Sequence, residues 1–305
     1  MTVAKSRQRR QRELVLRIAF RQRIGRQLCL DDGERAASRR EPKSHSSEPS
    51  TRAFGKVLAF RTVDSPAVGA NWEAEAENWV RWARTPGFDA YWYYSPSFFD
   101  ELVPPPGRQT LEIGCGEGRV TRDLKKRGHH VIAIDSSPTL LRYAKEADPE
   151  GGYQLADAAA LPFADGSFDL AVAYNSLMDI ADMPGAIRES ARVLDNGGRF
   201  CISVTHPVND AGSFVSEEPD AAFVIRDSYF GRRPFHGCFE RDGLQMTFHG
   251  WMYALEDYVR SLEGAGFVIE RLREPAASDE AVAHRLAYRR WQRVPMFLQL
   301  RAVKR

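Results

Sequence analysis

The chain has 305 residues, a formal net charge of +2 and 43 % hydrophobic residues. That fits an α/β domain of moderate size with extra segments, and it excludes global disorder. With no apolar run long enough to cross a bilayer, no membrane span is expected.

The small net charge hides an asymmetry. Residues 1–26 hold nine basic residues against Glu13 alone, a balance of +8, so the remainder carries 2 − 8 = −6. An acidic remainder is poorly equipped to grip a phosphate backbone, so no nucleic-acid partner is expected. Residues 1–55 read as a basic extension. Glu13 to Leu28 can form a basic amphipathic helix on Leu14, Ile18 and Leu28, and Asp31 to Thr51 is polar. A nucleic-acid or membrane-surface arm, an organelle-targeting segment and a disordered extension all fit this composition. The disordered extension is the expectation. Arg17 and Arg21 break the apolar run that a secretory leader would need. Cys29, Cys115, Cys201 and Cys238 form no C-x-x-C pair, which predicts a reducing compartment, the cytoplasm, and no metal site.

Residues 56–107 read as an N-terminal helical cap. Asn71 is a suitable N-cap for a helix through Ala83, with Trp72, Ala76, Trp79 and Ala83 on one face. Phe88 to Tyr94 is heavily aromatic. Ser95-Pro96 looks like an N-cap followed by proline at the first helical position, opening a helix through Leu102. Pro104 to Gly107 is a stiff linker.

Gln109 to Ile113 reads as a short buried strand and Val120 to Lys126 as a helix stopping at Gly128. Between them lie Gly114, Gly116 and Gly118. A strand, a glycine turn and a helix bring backbone N–H groups close to a ligand, and a side chain at Gly114 or Gly116 would fill space that a ligand needs. The spacing is G-x-G-x-G. A dinucleotide loop would need a glycine where Arg119 stands. A second strand, Val131 to Ile134, ends at Asp135, about 20 residues past the first glycine, where an acid can accept hydrogen bonds from a ribose diol.

From Glu112 to Gly118 the chain resembles the class I S-adenosylmethionine-dependent methyltransferases, in particular their type 11 small-molecule group, whose first motif is an acid, one residue and G-x-G-x-G. The resemblance runs from about Trp72 to the C-terminus and is tightest from Leu111 to Thr205. It implies S-adenosyl-L-methionine as cofactor. It also implies a Rossmann-like, doubly wound, seven-stranded sheet that is mostly parallel with one antiparallel strand, and helices on both faces. The methyltransferase domain would occupy residues 108–305. The N-terminal helices would lie over the cofactor and help close the substrate pocket.

Downstream, Ser136-Ser137-Pro138 starts a helix, Tyr153 to Ala156 is a third strand, and Phe168 to Ala173 is a fourth, continuous and apolar as a strand buried on both faces should be. Leu161-Pro162-Phe163 with Asp165 and Phe168 matches a further stretch of the family. A helix from Pro184 to Leu194, a turn at Asn196-Gly197-Gly198 and a fifth strand, Phe200 to Thr205, follow. Residues 208–250 are irregular and aromatic, a candidate substrate cover. Leu255 to Ala265 reads as a helix, and Phe267 to Arg273 and Met296 to Val303 as two strands. The second of these has the character of the family's antiparallel strand.

The resemblance also implies roles. Gly114, Gly116 and Gly118 would give room to the donor's amino-acid and ribose parts. Glu112 would act through its amino group. Asp135 would take the ribose hydroxyls with Ser136 beside it. Asp157 and Ala158 would hold the adenine, and Asn175 would lie next to the methionine part. The reaction would be an in-line displacement of an activated methyl group, for which alignment is the protein's main task. His206, ending strand five at the ligand edge, is the candidate general base, with Tyr174 and His249 behind it. Tyr174-Asn175-Ser176-Leu177 lacks the N/D-P-P-Y signature of enzymes that methylate amino groups of bases or glutamine, so the expected acceptor is a small apolar or aromatic molecule. An RNA or protein methyltransferase using the arm at Arg9 to Arg26, a non-catalytic binding protein and a nicotinamide oxidoreductase are the alternatives.

Overall fold

A computed structural model describes residues 57–60, 68–226 and 228–305. The basic extension expected at residues 1–55 lies outside them. Seven strands form the central sheet: β1 (Thr110–Ile113), β2 (Val131–Asp135), β3 (Gly152–Leu155), β4 (Phe168–Tyr174), β5 (Leu194–Thr205), β6 (Phe267–Arg273) and β7 (Phe297–Lys304). Their order is β6-β7-β5-β4-β1-β2-β3. β1 pairs in parallel with β2 and β4, as do β2 with β3 and β4 with β5. β7 is antiparallel to both of its neighbours, with Leu298 opposite Val204 and Leu300 opposite Ile202.

Six longer helices accompany the sheet: α1 (Val68–Arg84), α2 (Tyr91–Glu101), α3 (Arg119–Lys126), α4 (Pro138–Ala147), α5 (Met183–Val193) and α6 (Leu255–Gly264). Strand alternation decides which helix meets which face. Leu111, Ile113, Ala171 and Ala173 join Ile187 of α5 and Leu262 of α6 in one core. Leu170 and Val172 join Phe98 of α2, Leu124 of α3 and Leu141 of α4 in the other. Helices therefore cover both faces, and the doubly wound, mostly parallel architecture is present.

Local details depart from the sequence reading in four places. Helix α1 begins at Val68, so Asn71 is inside it and caps nothing. Helix α2 begins at Tyr91 and carries Pro96 in its interior. Burial of Tyr91, Tyr94, Phe98 and Phe99 along it offsets the hydrogen bond that proline removes. The glycine turn before strand five is a bulge within β5: Phe168 faces Leu194 and Leu170 faces Arg199, leaving residues 195–198 looped out.

The fourth departure is the region expected to be irregular. A short strand pair, Gly212–Phe214 with Phe223–Ile225, is followed by a hairpin, Arg233–Arg241 and Leu244–Met252. Its turn is Asp242-Gly243, both at positive φ (48° and 78°), as a type I′ turn requires. Two compact units result. Among the described residues, the smaller holds Val57–Phe60 and residues 236–247. In it a strand at Val57–Phe60 pairs antiparallel with the hairpin, Val57 opposite Phe239 and Phe60 opposite Gly237. Residues 56–107 are thus not helical throughout. The larger unit holds the described residues from 68 to 235 and 248–305.

Phe168 is 1 % exposed and packs edge-on against Phe163. Phe168→Ala should lower the unfolding free energy by about 3–5 kcal/mol in a urea titration.

Candidate active site

The glycine turn and the end of the second strand meet directly. Ile134 O accepts from Gly114 N and Cys115 N, both at 2.9 Å. Gly116 N donates to Asp135 Oδ2 at 2.7 Å, and Ser137 N donates to Asp135 Oδ1 at 2.9 Å. Burial raises the Asp135 carboxyl, while hydrogen bonds from Ser137, Gly116 and Ser136 pull the other way. Three backbone donors leave one of the carboxylate's four acceptor sites unused. Ser136 itself is exposed beside it.

The three glycines have different reasons. A Cβ on Gly114 would lie 2.5 Å from Ser176 Cβ. Ser176 sits there because its Oγ donates to Ile113 O at 2.6 Å, tying the segment after β4 to the end of β1. A Cβ on Gly118 would lie 2.7 Å from the Tyr153 hydroxyl and 3.1 Å from Ala144. Gly114 and Gly118 are therefore set by protein packing as well, which corrects the purely ligand-based reading. Gly116 differs: a Cβ would meet only Trp79, at 3.2 Å from Nε1.

Glu112 is 2 % exposed beneath the loop and accepts from the Thr121 hydroxyl. Burial, with Asp135 and Glu117 nearby, raises its carboxyl to about 8. Glu117, the residue between the second and third glycines, is 1 % exposed and is held by Arg84 at 2.9 Å and Arg122 at 2.8 Å. Asp157 and Ala158 follow β3 on the same sheet edge. Asp157 is exposed and accepts from Ala159 N at 2.9 Å, so it also caps its own turn, while Ala158 joins the core. Asn175 follows β4 in a left-handed conformation (φ 54°). Its N–H donates to Ser203 O at 2.7 Å and its Oδ1 accepts from Ser203 Oγ at 2.8 Å.

Helix α1 is fastened across this edge by residues that spacing alone does not reveal. Glu73 accepts from Ser137 and from Thr139 Oγ1, the latter at 2.6 Å. Arg84 holds Glu117 and donates to Tyr143 O at 2.9 Å. These partners lie 33 to 66 residues away, and no local pattern links them. Trp79 stands against Gly116 and beneath the Arg119 guanidinium, which is 5.0 Å from its ring and pairs with Asp89 at 2.7 Å. Arg119, which breaks the dinucleotide pattern, is thus a cross-brace between the loop and the N-terminal helices.

His206 does not fit the part of general base. It is 4 % exposed and its ring is used by the protein on both sides. Nδ1 accepts from Val208 N at 3.1 Å, so the proton resides on Nε2, which faces Glu274 Oε1 at 2.7 Å. Burial lowers its pKa and Glu274 opposes that. The ring caps the short helix Pro207–Asp210. Tyr174 is enclosed and its hydroxyl is pushed upward by burial.

Residues 111–202 match a family model described as a methyltransferase domain. Aklanonic acid methyltransferase DauC of Streptomyces sp. (strain C5) is 32 % identical over 183 residues, 57 % of this chain and 80 % of that protein. The chain belongs to the class I S-adenosylmethionine-dependent methyltransferases. A demethylmenaquinone methyltransferase of Beutenbergia cavernae is 31 % identical over 117 residues, 38 % of this chain and 48 % of that protein. The crystal structure of an S-adenosylmethionine-dependent methyltransferase from Mesorhizobium loti superposes with a TM-score of 0.58 at 26 % identity, over 71 % of this chain and 98 % of that one. The methyltransferase is thus an enzyme whose cofactor is S-adenosylmethionine. None of the described helices is long and apolar enough to cross a membrane.

Two outcomes follow from the buried groups. Glu112 is held near 8 in the folded methyltransferase and near 4.5 when exposed. The folded state keeps a proton that the unfolded state releases, so stability should fall as pH rises from about 4.5 to about 8. Glu112→Gln should flatten that part of the melting-temperature profile. His206→Ala, which removes a cap and a paired ring, should cost about 1 kcal/mol in urea unfolding and leave donor affinity unchanged.

Proposed function

We propose that the methyltransferase acts on a small apolar or aromatic acceptor, with the donor held along the carboxyl ends of β1 to β4. The observation that carries this reading is the 2.7 Å bond between Gly116 N and the Asp135 carboxylate, which makes one cradle of the loop and the acid. A Cβ on Gly116 would meet a single side chain, Trp79, and the carboxylate keeps acceptor capacity, so these residues suit an adenosyl group. Asp135 would take the ribose hydroxyls with Ser136 beside it. Asp157 and the Ala158 N–H would hold the adenine. Glu112 would draw the amino group, and the backbone at Asn175 would meet the methionine part. Bound S-adenosylmethionine supplies an already activated methyl group, and the chain's task is to align an acceptor with it and exclude water.

The acceptor class rests on the surroundings. Trp72, Trp79 and Trp82 on α1 each stand edge-on to Phe248, at 6.2, 6.1 and 6.0 Å. The aromatic segment after β5 is proposed as the substrate cover. Relatives named for aklanonic acid and demethylmenaquinone agree with a small-molecule acceptor. The charge of −6 outside residues 1–26 argues against a nucleic-acid acceptor. Free thiols at Cys115, Cys201 and Cys238 accord with a cytoplasmic enzyme.

Calorimetric titration of S-adenosylmethionine tests the cradle. Asp135→Ala should weaken binding about tenfold or more, and unchanged affinity would refute the assignment. Incubation with donor and panels of aryl and aliphatic compounds should yield a mass gain of one methyl group on apolar or aromatic members. Methylation of RNA or protein substrates alone would overturn the acceptor class.

A further inference from the structure

S-adenosylmethionine carries a carboxylate, and that anion needs hydrogen-bond donors of its own. The glycine loop has few to spare. Gly114 N and Cys115 N donate to Ile134 O and Gly118 N donates to Cys115 O, each at 2.9 Å, and Gly116 N donates to Asp135 at 2.7 Å. Four of the loop's amides are thus spent within the protein. The sheet side of the cradle is acidic, with Glu112 beneath the loop and Asp135 beside it, so an anion is disfavoured there. The side left to the carboxylate is the one that α1 covers.

Trp79 stands on that side. A Cβ on Gly116 would lie 3.2 Å from its Nε1 and 3.9 Å from its Cδ1, so the N–H edge of the indole faces the loop. Trp72, on the same helix, donates its indole N–H to His249 O at 3.1 Å. The half-buried Trp79 has no such bond among the described residues. An indole N–H can only donate, and when enclosed it ordinarily has an acceptor. The ring is also held in place. It lies edge-on to Trp72 at 5.8 Å and to Phe248 at 6.1 Å, and the Arg119 guanidinium sits over it at 5.0 Å. Arg119 is already paired with Asp89 at 2.7 Å, so it braces the ring and is not an open anion site. Glu73 and Arg84 pin α1 on either side of Trp79, to Thr139 and Glu117. The N–H is therefore aimed in advance, which lowers the ordering cost of using it.

We propose that Trp79 is a cofactor-binding residue whose indole N–H donates to the carboxylate of S-adenosylmethionine. This rests on the placement of the cofactor along β1 to β4 given above. The bond is charge-assisted and sits at the edge of an aromatic cluster, where such bonds are strong. It makes α1 a sensor of the cofactor's amino-acid end. A ligand that keeps the adenosyl part and lacks the carboxylate uses the Asp135 cradle and leaves Trp79 without its acceptor.

The test titrates the full chain calorimetrically with three ligands: S-adenosylmethionine, its decarboxylated form and 5′-methylthioadenosine. The wild type should prefer S-adenosylmethionine to the decarboxylated form by about tenfold or more. Trp79→Phe, which keeps an aromatic ring and removes the N–H, should shrink that preference by about fivefold or more, with methylthioadenosine affinity held within about twofold. Asp135→Ala should instead weaken all three ligands. A second measurement needs no variant. In the 15N-labelled wild type, which has six tryptophans, one indole N–H resonance should move downfield with S-adenosylmethionine and stay in place with the decarboxylated form. An equal loss of all three ligands in Trp79→Phe, an unchanged preference, tighter binding of all three, or no indole resonance that tells the two sulfonium ligands apart would overturn the assignment and leave the cradle standing. A wild type that binds none of the three overturns the cradle and the assignment together.

Discussion

One hydrogen bond organises the carboxyl edge of the sheet in this methyltransferase: Gly116 N–H to the Asp135 carboxylate. It joins the turn after β1 to the last residue of β2, and it exists because those strands are neighbours in parallel register, Ile113 opposite Ile134. The bond fixes both partners. The loop cannot swing away from the sheet without stranding an enclosed acid, and the acid cannot rotate without losing a backbone donor. Helix α4 adds to the clamp, since Ser137 both donates to Asp135 through its N–H and caps the helix through its hydroxyl. A carboxylate pre-set in this way needs little further ordering to accept one more hydrogen bond.

The same edge concentrates acidic groups. Glu112 and Cys115 both feel Asp135, and Asp179 feels it from the far side. Glu117 alone is neutralised, by Arg84 and Arg122. Burial favours the protonated forms of Glu112, Cys115 and Asp179 near neutral pH.

Much of this was legible in the sequence because it is local. The glycine spacing, the acid closing the second strand and the alternation of strands with helices are set within a few residues, and so is the Ser137-Pro138 helix start. The antiparallel β7 was legible only through family resemblance. Three kinds of feature were not legible. Pro96 inside α2 obeys the burial of Tyr94 and Phe98, a tertiary demand that overrides the local preference. The hairpin after β5 did announce itself at Asp242-Gly243, but its alternation is masked by aromatics on both faces. The clasps of α1, Glu73 to Thr139 and Arg84 to Glu117, and the engagement of His206 with Glu274 join residues far apart in the chain, so no pattern at either end encodes them. Placing His206 at the end of β5 was right, but its chemistry depends on a glutamate 68 positions later.

The position of β7 has a consequence for how the molecule is made. It separates β5 from β6 in the sheet, yet 297 − 205 = 92 positions of chain separate its start from the end of β5. While a ribosome is still producing those residues, β5 presents a bare flank rich in Cys201, Ile202 and Val204, with its amide and carbonyl groups unmet. Such a flank can zip onto a neighbouring nascent chain. The polypeptide is therefore open to self-association until β7 emerges and covers β5.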